Sequence, residues 1–380
     1  MKRSRLHRKL LVVLLLSCAL PSFAAASGWP MFLGNPSHTA VSQTTISPPL
    51  EQQWRFDTGG SIYSSAAVDG ERLYFASLPG RVYALAVTTG QPVWTFETDT
   101  EISASPALFK GRIYIGSKGG QFYCLDSGNG EPVWTIETKG KITASATIDD
   151  GVVYFASHDM TLYAARAKDG KLLWKTKLPG HAAANGIYST PAVADGMVYV
   201  AEKSHNLYAL DASNGQIMWK YRTDSAVYSS PSVKNGMVFI GGYDRQVRAL
   251  DARSGKLIWK AQLDEWIYAT PVPFGGNLYV GSKDGMLSAF NASNGELVWS
   301  LDLRGTISST MAVARGGIGY VGNEDGEIFA ISLEKGRIIW KEILADDGFH
   351  ASPALAGGKL YVGTLNGYFI SWGKNGAENR

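Results

Sequence analysis

Eight tryptophans recur along the 380-residue chain at near-constant spacing: Trp54, Trp94, Trp134, Trp174, Trp219, Trp259, Trp299 and Trp340, separated by 40, 40, 40, 45, 40, 40 and 41 residues. A period of this length marks a repeated supersecondary unit that cannot bury its apolar face without a neighbour, which restricts the chain to a solenoid, a propeller or an array. From Trp94 onward each Trp closes the same phrase, plainest at Ala209-Leu210-Asp211-Ala212-Ser213-Asn214-Gly215-Gln216-Ile217-Met218-Trp219. Seven full copies are present.

The contents of the unit choose among these architectures. Ahead of Trp219 lie Ile187 to Val193, Asp195-Gly196, Met197 to Ala201, a polar turn, Asn206 to Leu210, Ser213-Asn214-Gly215 and the segment that carries the Trp. Short runs rich in Val, Ile and Tyr favour strands, and Asp-Gly or Asn-Gly pairs supply the positive φ of tight hairpins. No segment of helical period intervenes. Four strands per period of about 40 residues is a propeller blade.

The ends of the array predict how it closes. The last unit begins at Phe349-His350-Ala351-Ser352-Pro353, runs through Tyr361 and Tyr368, and stops at Gly376 without a Trp, so its outermost strand is missing. Residues 50–56, which contain Trp54, form an outermost strand with no inner strands before it. Pairing the two gives an all-β fold, an eight-bladed β-propeller of four-stranded antiparallel blades with no exposed first or last sheet. The domain reading is a leader over 1–26, an arm over 27–49, the propeller over 50–376 and a tail over 377–380.

The leader carries Lys2, Arg3, Arg5, Arg8 and Lys9 ahead of an apolar run from Leu10 to Leu16, and Ala24-Ala25-Ala26 as a cleavage site. It reads as a secretory signal, with an apolar stretch too short to span a membrane. Leu15-Leu16-Ser17-Cys18 also resembles a bacterial lipobox, which leaves open an outer-membrane lipoprotein acylated at Cys18. Leu in the penultimate place is unusual there, so periplasmic export is the preferred reading. Without the leader the chain has 31 basic and 33 acidic residues, which points away from nucleic acid. Only Cys124 then remains, in the place of the repeated Ala, as a small buried apolar residue.

Residues 28–36, with Trp29 and Phe32, have no counterpart in the repeats and read as an arm lying across the ring. The repeated Trp on an outermost strand suits a cover over the next blade, its N–H seeking an acceptor. Asp126, Asp211, Asp251 and Asn291 suit turns in which the side chain bonds its own backbone.

The phrase Ala-x-Asp-x-x-(Thr/Ser/Asn)-Gly-x-x-x-Trp resembles the PQQ-like, or quinoprotein-type, propeller repeat, and the resemblance extends over residues 50–376. This repeat is shared by quinone-dependent alcohol dehydrogenases and by non-catalytic envelope proteins such as the BamB-type outer-membrane assembly factors, so it implies a fold and leaves the chemistry to the site.

If the first strand of each blade descends along the channel, the residues after its opening Ile, Val or Phe form a ring at one mouth: Tyr63, Ser103, Thr143, Tyr188, Tyr228, Tyr268, Ser308 and His350. Four phenols and an imidazole suit a planar ligand or a peptide held by stacking and hydrogen bonds; filling of a wide, wet opening is the plainer alternative. The five-residue insertion near His181 overhangs this face, and Asp264-Glu265-Trp266 and Asp346-Asp347-Gly348 occupy equivalent connections, an acidic and aromatic rim. His158, His181, His205 and His350 map to the same face without zinc spacing, so no metal is expected.

A PQQ-dependent dehydrogenase, as the resemblance implies it, holds its tricarboxylate quinone with a cationic side chain and Ca²⁺ on acidic ligands, beside a Cys-Cys disulfide. This chain has no Cys-Cys pair, no Cys-x-x-Cys-His, and no Arg or Lys in the mouth ring. The expected function is therefore an exported, non-catalytic scaffold or recognition protein of the bacterial envelope, monomeric and without cofactor, working in outer-membrane protein assembly. Its expected partner is an envelope protein or extended peptide, with Tyr63, Tyr188, Tyr228, Tyr268, His350, His181 and Trp266 as contact residues. A polysaccharide-binding propeller and the PQQ enzyme with calcium are the alternatives. Deletion of residues 50–56 is expected to open the ring, seen as loss of a single cooperative melting transition.

Overall fold

The computed structural model describes residues 28–179 and 186–374; the leader with Cys18, the loop residue His181 and the tail lie outside them. Among the described residues, thirty-two strands form eight four-stranded sheets, and the 3-10 turn Phe32–Gly34 is the only helical element. Seven blades take their strands consecutively. In blade 1 these are, from the axis outward, Ala67–Val68, Arg72–Ser77, Arg81–Ala86 and Pro92–Glu97.

Blade 8 is composite. Ala354–Ala356, Lys359–Gly363 and Tyr368–Gly373 come from the end of the chain, and Glu51–Asp57 supplies the outermost strand. The pairing is antiparallel from Glu51 opposite Gly373 to Asp57 opposite Tyr368, with a bulge between Gln52 and Trp54. The Arg55 guanidinium sits 3.2 Å from the Tyr368 ring centroid, a cation–π contact across the closure. The innermost strand of blade 8 lies against that of blade 1, which completes the ring.

Local sequence explains the hairpins. Asp195-Gly196 (φ 49° and 74°) and Asn235-Gly236 (φ 51° and 73°) are both left-handed, the two-residue turn whose twist matches that of the flanking strands. At the outer hairpins the expected side-chain turns form: Asp126 Oδ1 accepts the Gly128 N–H, Asp211 Oδ1 that of Ser213, Asp251 Oδ1 that of Ser254 and Asn291 Oδ1 that of Ser293. Cys124 is buried opposite Trp134.

Seven of the eight repeat indoles clasp the following blade. The Trp219 N–H donates to the Ala252 carbonyl at 3.0 Å, and the equivalent bonds run from Trp54 to Val87, Trp94 to Ser127, Trp134 to Ala167, Trp174 to Ala212, Trp259 to Ala292 and Trp299 to Leu333. The ring face rests on a turn glycine of that blade; a Cβ on Gly255 (φ 67°) would lie 2.6 Å from the Trp219 indole. The same carbonyl also accepts a second-strand tyrosine hydroxyl, as from Tyr114 to Ala167 and from Tyr199 to Ala252. In blade 8 the third and outermost strands, Tyr368–Gly373 and Glu51–Asp57, come from separate segments, and no hairpin turn joins them. There the Tyr320 hydroxyl finds the carbonyl of Ile46 in the arm instead.

The arm lies on the face opposite the predicted mouth. Trp29 and Val68 exchange two backbone bonds, Pro30 accepts from Leu108, Pro36 from Val193, Ser37 from Val233, Ala40 from Val313 and Thr44 from Arg315, while the Ser42 hydroxyl donates to Leu355. These partners lie on or just beyond innermost strands whose edge away from the second strand would otherwise lack a partner. Trp29 and Leu33 are buried in the core shared by blades 1, 6, 7 and 8, and Phe32 is half-buried against it.

Trp54 and Trp259 are buried, whereas Trp219 and the remaining repeat tryptophans are half-buried. Trp259→Ala is therefore expected to lower the unfolding free energy by about 3–5 kcal/mol and Trp219→Ala by less, checked by urea denaturation of each variant.

Candidate functional site: the aromatic mouth and its channel

Eight apolar pegs set the geometry of the site. Ile62, Ile102, Ile142, Ile187, Val227, Ile267, Ile307 and Phe349 are all fully buried between blades. Five of them press against a second-strand glycine where no Cβ fits; one on Gly241 would lie 2.2 Å from Ile267. Because successive side chains of an extended segment point to opposite sides, burying each peg turns the next residue toward the axis. The eight residues of the predicted ring accordingly line one cavity of about 410 Å³.

Within it the aromatic residues form a continuous run. Centroid distances are 4.7 Å from Tyr63 to His350, 5.5 Å from His350 to Tyr268, 5.7 Å from Tyr268 to Tyr228, 5.2 Å from Tyr228 to Tyr188 and 4.2 Å from Tyr188 to His158. A branch runs outward from Tyr228 to Tyr243 at 4.7 Å, and Tyr243 stacks on Trp266 at 4.8 Å with planes 11° apart. Tyr63 and Trp266 keep 37% and 40% of their surface exposed. The arc covers one side only, since Ser103 and Thr143 leave blades 2 and 3 open.

A second ring surrounds the first, and of its residues the sequence reading places only His158 on this face. The turns between second and third strands present Leu78, Lys118, His158, Lys203, Tyr243, Lys283, Glu324 and Leu365. Each backbone N–H is fixed by a carbonyl of the connection entering the same blade, as from Lys118 to Glu101, Tyr243 to Ala226 and Lys283 to Trp266. The signal was available, because these residues all follow the second strand at the same place in the period.

This ring adds lysines to the expected acidic and aromatic rim, in which Asp264 and Asp346 are exposed. Lys283 Nζ lies 5.7 Å from the Trp266 ring and Lys203 Nζ 6.0 Å from Tyr228. Lys118, which lines the cavity, pairs with Glu101 at 2.5 Å. Asp347 turns inward to accept the Gly348 and Asn366 N–H groups, so it serves its own turn.

Below the mouth residues, two positions further along each innermost strand, runs a waist of eight hydroxyls: Ser65, Ser105, Ser145, Thr190, Ser230, Thr270, Thr310 and Ser352. In six of the eight blade-to-blade steps a backbone N–H donates to the hydroxyl oxygen of the next blade, at 2.9–3.2 Å. Sequence reading missed this ring, although every unit shows Ser or Thr there. The arm closes the far end: Phe32 lines the cavity and meets His38 edge-on at 5.6 Å.

Burial governs the titratable groups. His158 is pushed down to about 4, first by burial and then by Lys141, Lys118 and Lys203, against a weaker pull from Asp159; it hydrogen-bonds Thr143 at 2.7 Å. Burial also lowers His350, opposed by Glu324, and raises Tyr268 to about 12. His38 is held at about 4 by complete burial, its ring bonded to the Pro231 carbonyl and the Thr147 hydroxyl. Among the described residues, no three His, Cys, Asp or Glu converge as a metal site. His205 sits in the turn after Lys203, outside the cavity lining.

The molecule is thus a closed propeller whose channel has an aromatic mouth, a hydroxyl waist and a plugged floor. Residues 36–277 match the family described as the β-propeller of beta-alanine-activating enzyme, and residues 247–378 that described as outer membrane protein assembly factor BamB. The first match spans more than half of the chain, and the chain belongs to this family, among the PQQ-like β-propellers. No curated protein sequence matches it. Among solved structures, BamB from Moraxella catarrhalis is 19% identical with a TM-score of 0.72, over 88% of this chain and 100% of that one. Quinohemoprotein alcohol dehydrogenase from Comamonas testosteroni is 15% identical with a TM-score of 0.78, over 92% and 81%. The computationally designed Ika8 protein is 17% identical with a TM-score of 0.75, over 87% and 100%. At such identities the shared property is the fold.

His38 accepts a proton in the unfolded chain near 6.5 but in the folded protein only near 4. Its effect on stability is absent above pH 6.5 and grows as the pH falls from there to 4, to a loss of about 3 kcal/mol. His38→Asn, which keeps a polar group and tolerates the φ of 56°, is expected to flatten that part of the stability curve; denaturant titrations at pH 7 and pH 4 compare the two.

Proposed function

We propose that this protein is an exported, non-catalytic recognition propeller of a bacterial cell envelope, which holds an extended segment of a partner protein against its mouth in the course of outer-membrane protein assembly. The observation that carries the reading is the unbroken run of aromatic rings from Tyr63 to His158, extended outward to Trp266, on a frame fixed by eight buried pegs. Rigid aromatic residues beside lysines supply large contact area at low entropic cost, as recognition surfaces do. The BamB match over residues 247–378 and the export leader support the location. Among the described residues no helix is long and apolar enough to cross a membrane.

The quinoprotein neighbours raise the question of whether PQQ fits this mouth. A tricarboxylate quinone with Ca²⁺ needs several cations and a set of acidic ligands. Among the described residues the cavity lining offers Lys118 as its one cation, already paired with Glu101, and no carboxylate; the remaining lining groups are hydroxyls, phenols, the His350 imidazole, whose proton affinity burial lowers, and apolar side chains. These residues do not match the group, and the reading here includes no cofactor.

A photo-cross-linking side chain in place of Trp266 is expected to recover a specific envelope protein, with Tyr228→Ala reducing recovery about tenfold while the melting temperature stays unchanged. Added PQQ and Ca²⁺ are expected to give neither quinone absorbance nor dye-linked alcohol oxidation. Turnover in that assay, or capture of polysaccharide in place of protein, would replace the proposal.

A further inference from the structure

The hydroxyl waist has donors without acceptors. In six of its positions the side-chain oxygen accepts a backbone N–H from the preceding blade, and among the described residues none of the eight hydroxyls gives its own proton to a protein acceptor. All eight are buried yet line the cavity. In those six hydroxyls the N–H occupies one of two lone pairs, and the O–H proton is left to point into the channel, toward an acceptor on a ligand.

The lysines at the mouth have the same sense. Lys118, Lys141 and Lys203 all act on His158 at the open side of the mouth. The neighbouring acids are engaged: Glu101 with Lys118, Glu324 with the Ser308 hydroxyl at 2.5 Å, and Asp159 with the Tyr163 hydroxyl and the Lys139 N–H. Lys118, which lines the cavity, and the channel-facing O–H groups together favour an anionic acceptor.

The shape limits the ligand further. Phe32 and His38 close the floor, so a polypeptide cannot thread the ring and only its end can enter. Tyr63, Tyr188, Tyr228 and Tyr268 wall the space above the waist.

We infer that the channel is a receptor for the free C-terminus of an extended polypeptide, with the terminal carboxylate at the hydroxyl waist and an apolar or aromatic last side chain among the four tyrosines. The inference rests on the reading of the mouth as a peptide-binding surface and adds to it the polarity and end of the bound chain.

The test is calorimetric titration of the full-length protein with acetyl-Ala-Ala-Phe as the free acid and as the C-terminal amide. The acid is expected to bind at least about tenfold more tightly, as loss of a charge-assisted hydrogen-bonding group requires. Thr190→Val with Ser230→Ala is expected to abolish that preference, and the rim variant Lys118→Gln, which leaves the waist intact, to reduce it. Equal affinity for acid and amide overturns the terminus assignment and leaves the mouth reading standing. Binding of 3-phenylpropionate as tight as that of the tripeptide acid overturns it in favour of a small carboxylate. If neither peptide binds, the assignment falls; the mouth reading then survives only if Tyr228→Ala still removes the partner cross-link.

Discussion

Closure of the ring is the constraint from which the remaining structure follows. A single blade has two apolar faces, and each is buried only by a neighbour, so any open array would expose one face at each end. Pairing Glu51–Asp57 with Tyr368–Gly373 removes both ends at once. The indole clasps then fix seven of the eight blades relative to the next, because a Trp N–H and its ring face together grip one turn. Where blade 8 has no such turn, Ile46 of the arm supplies the missing acceptor for Tyr320.

A closed ring also separates structural from variable positions. Pegs, clasping tryptophans and turn acids recur in nearly every unit, since every blade interface is the same problem. The residues after the pegs face the axis, where no neighbouring blade dictates their identity. That freedom allows tyrosines and a histidine on one arc and small residues on blades 2 and 3, which makes a symmetric frame carry an asymmetric site.

Much of this is legible in the amino-acid sequence. The tryptophan period defines blades, the two incomplete units define the closure, and alternation after Ile62, Ile102 and their equivalents places Tyr63 through His350 in one ring. The outer ring from Leu78 to Leu365 and the hydroxyl waist are repeated just as regularly. They are harder to recognise because Lys118, His158, Tyr243 and Glu324 differ in chemistry, and because Ser or Thr beside a turn reads as ordinary strand-end polarity. The expected acidic and aromatic rim gains lysines, because Lys203 and Lys283 approach the aromatic rings from the turns between second and third strands, while Asp347 bonds backbone amides locally.

Sequence alone determined the number of blades, the composite eighth sheet and the axial position of the tyrosines, because each follows from a period and from the alternation of an extended chain. The tertiary structure alone decided which opening the arm covers and that the channel ends blindly at Phe32. Those outcomes depend on which innermost strands leave backbone groups unpaired on the edge away from the second strand, and no local pattern in residues 28–49 encodes the location of Val68, Val193, Val233 and Val313 around the ring.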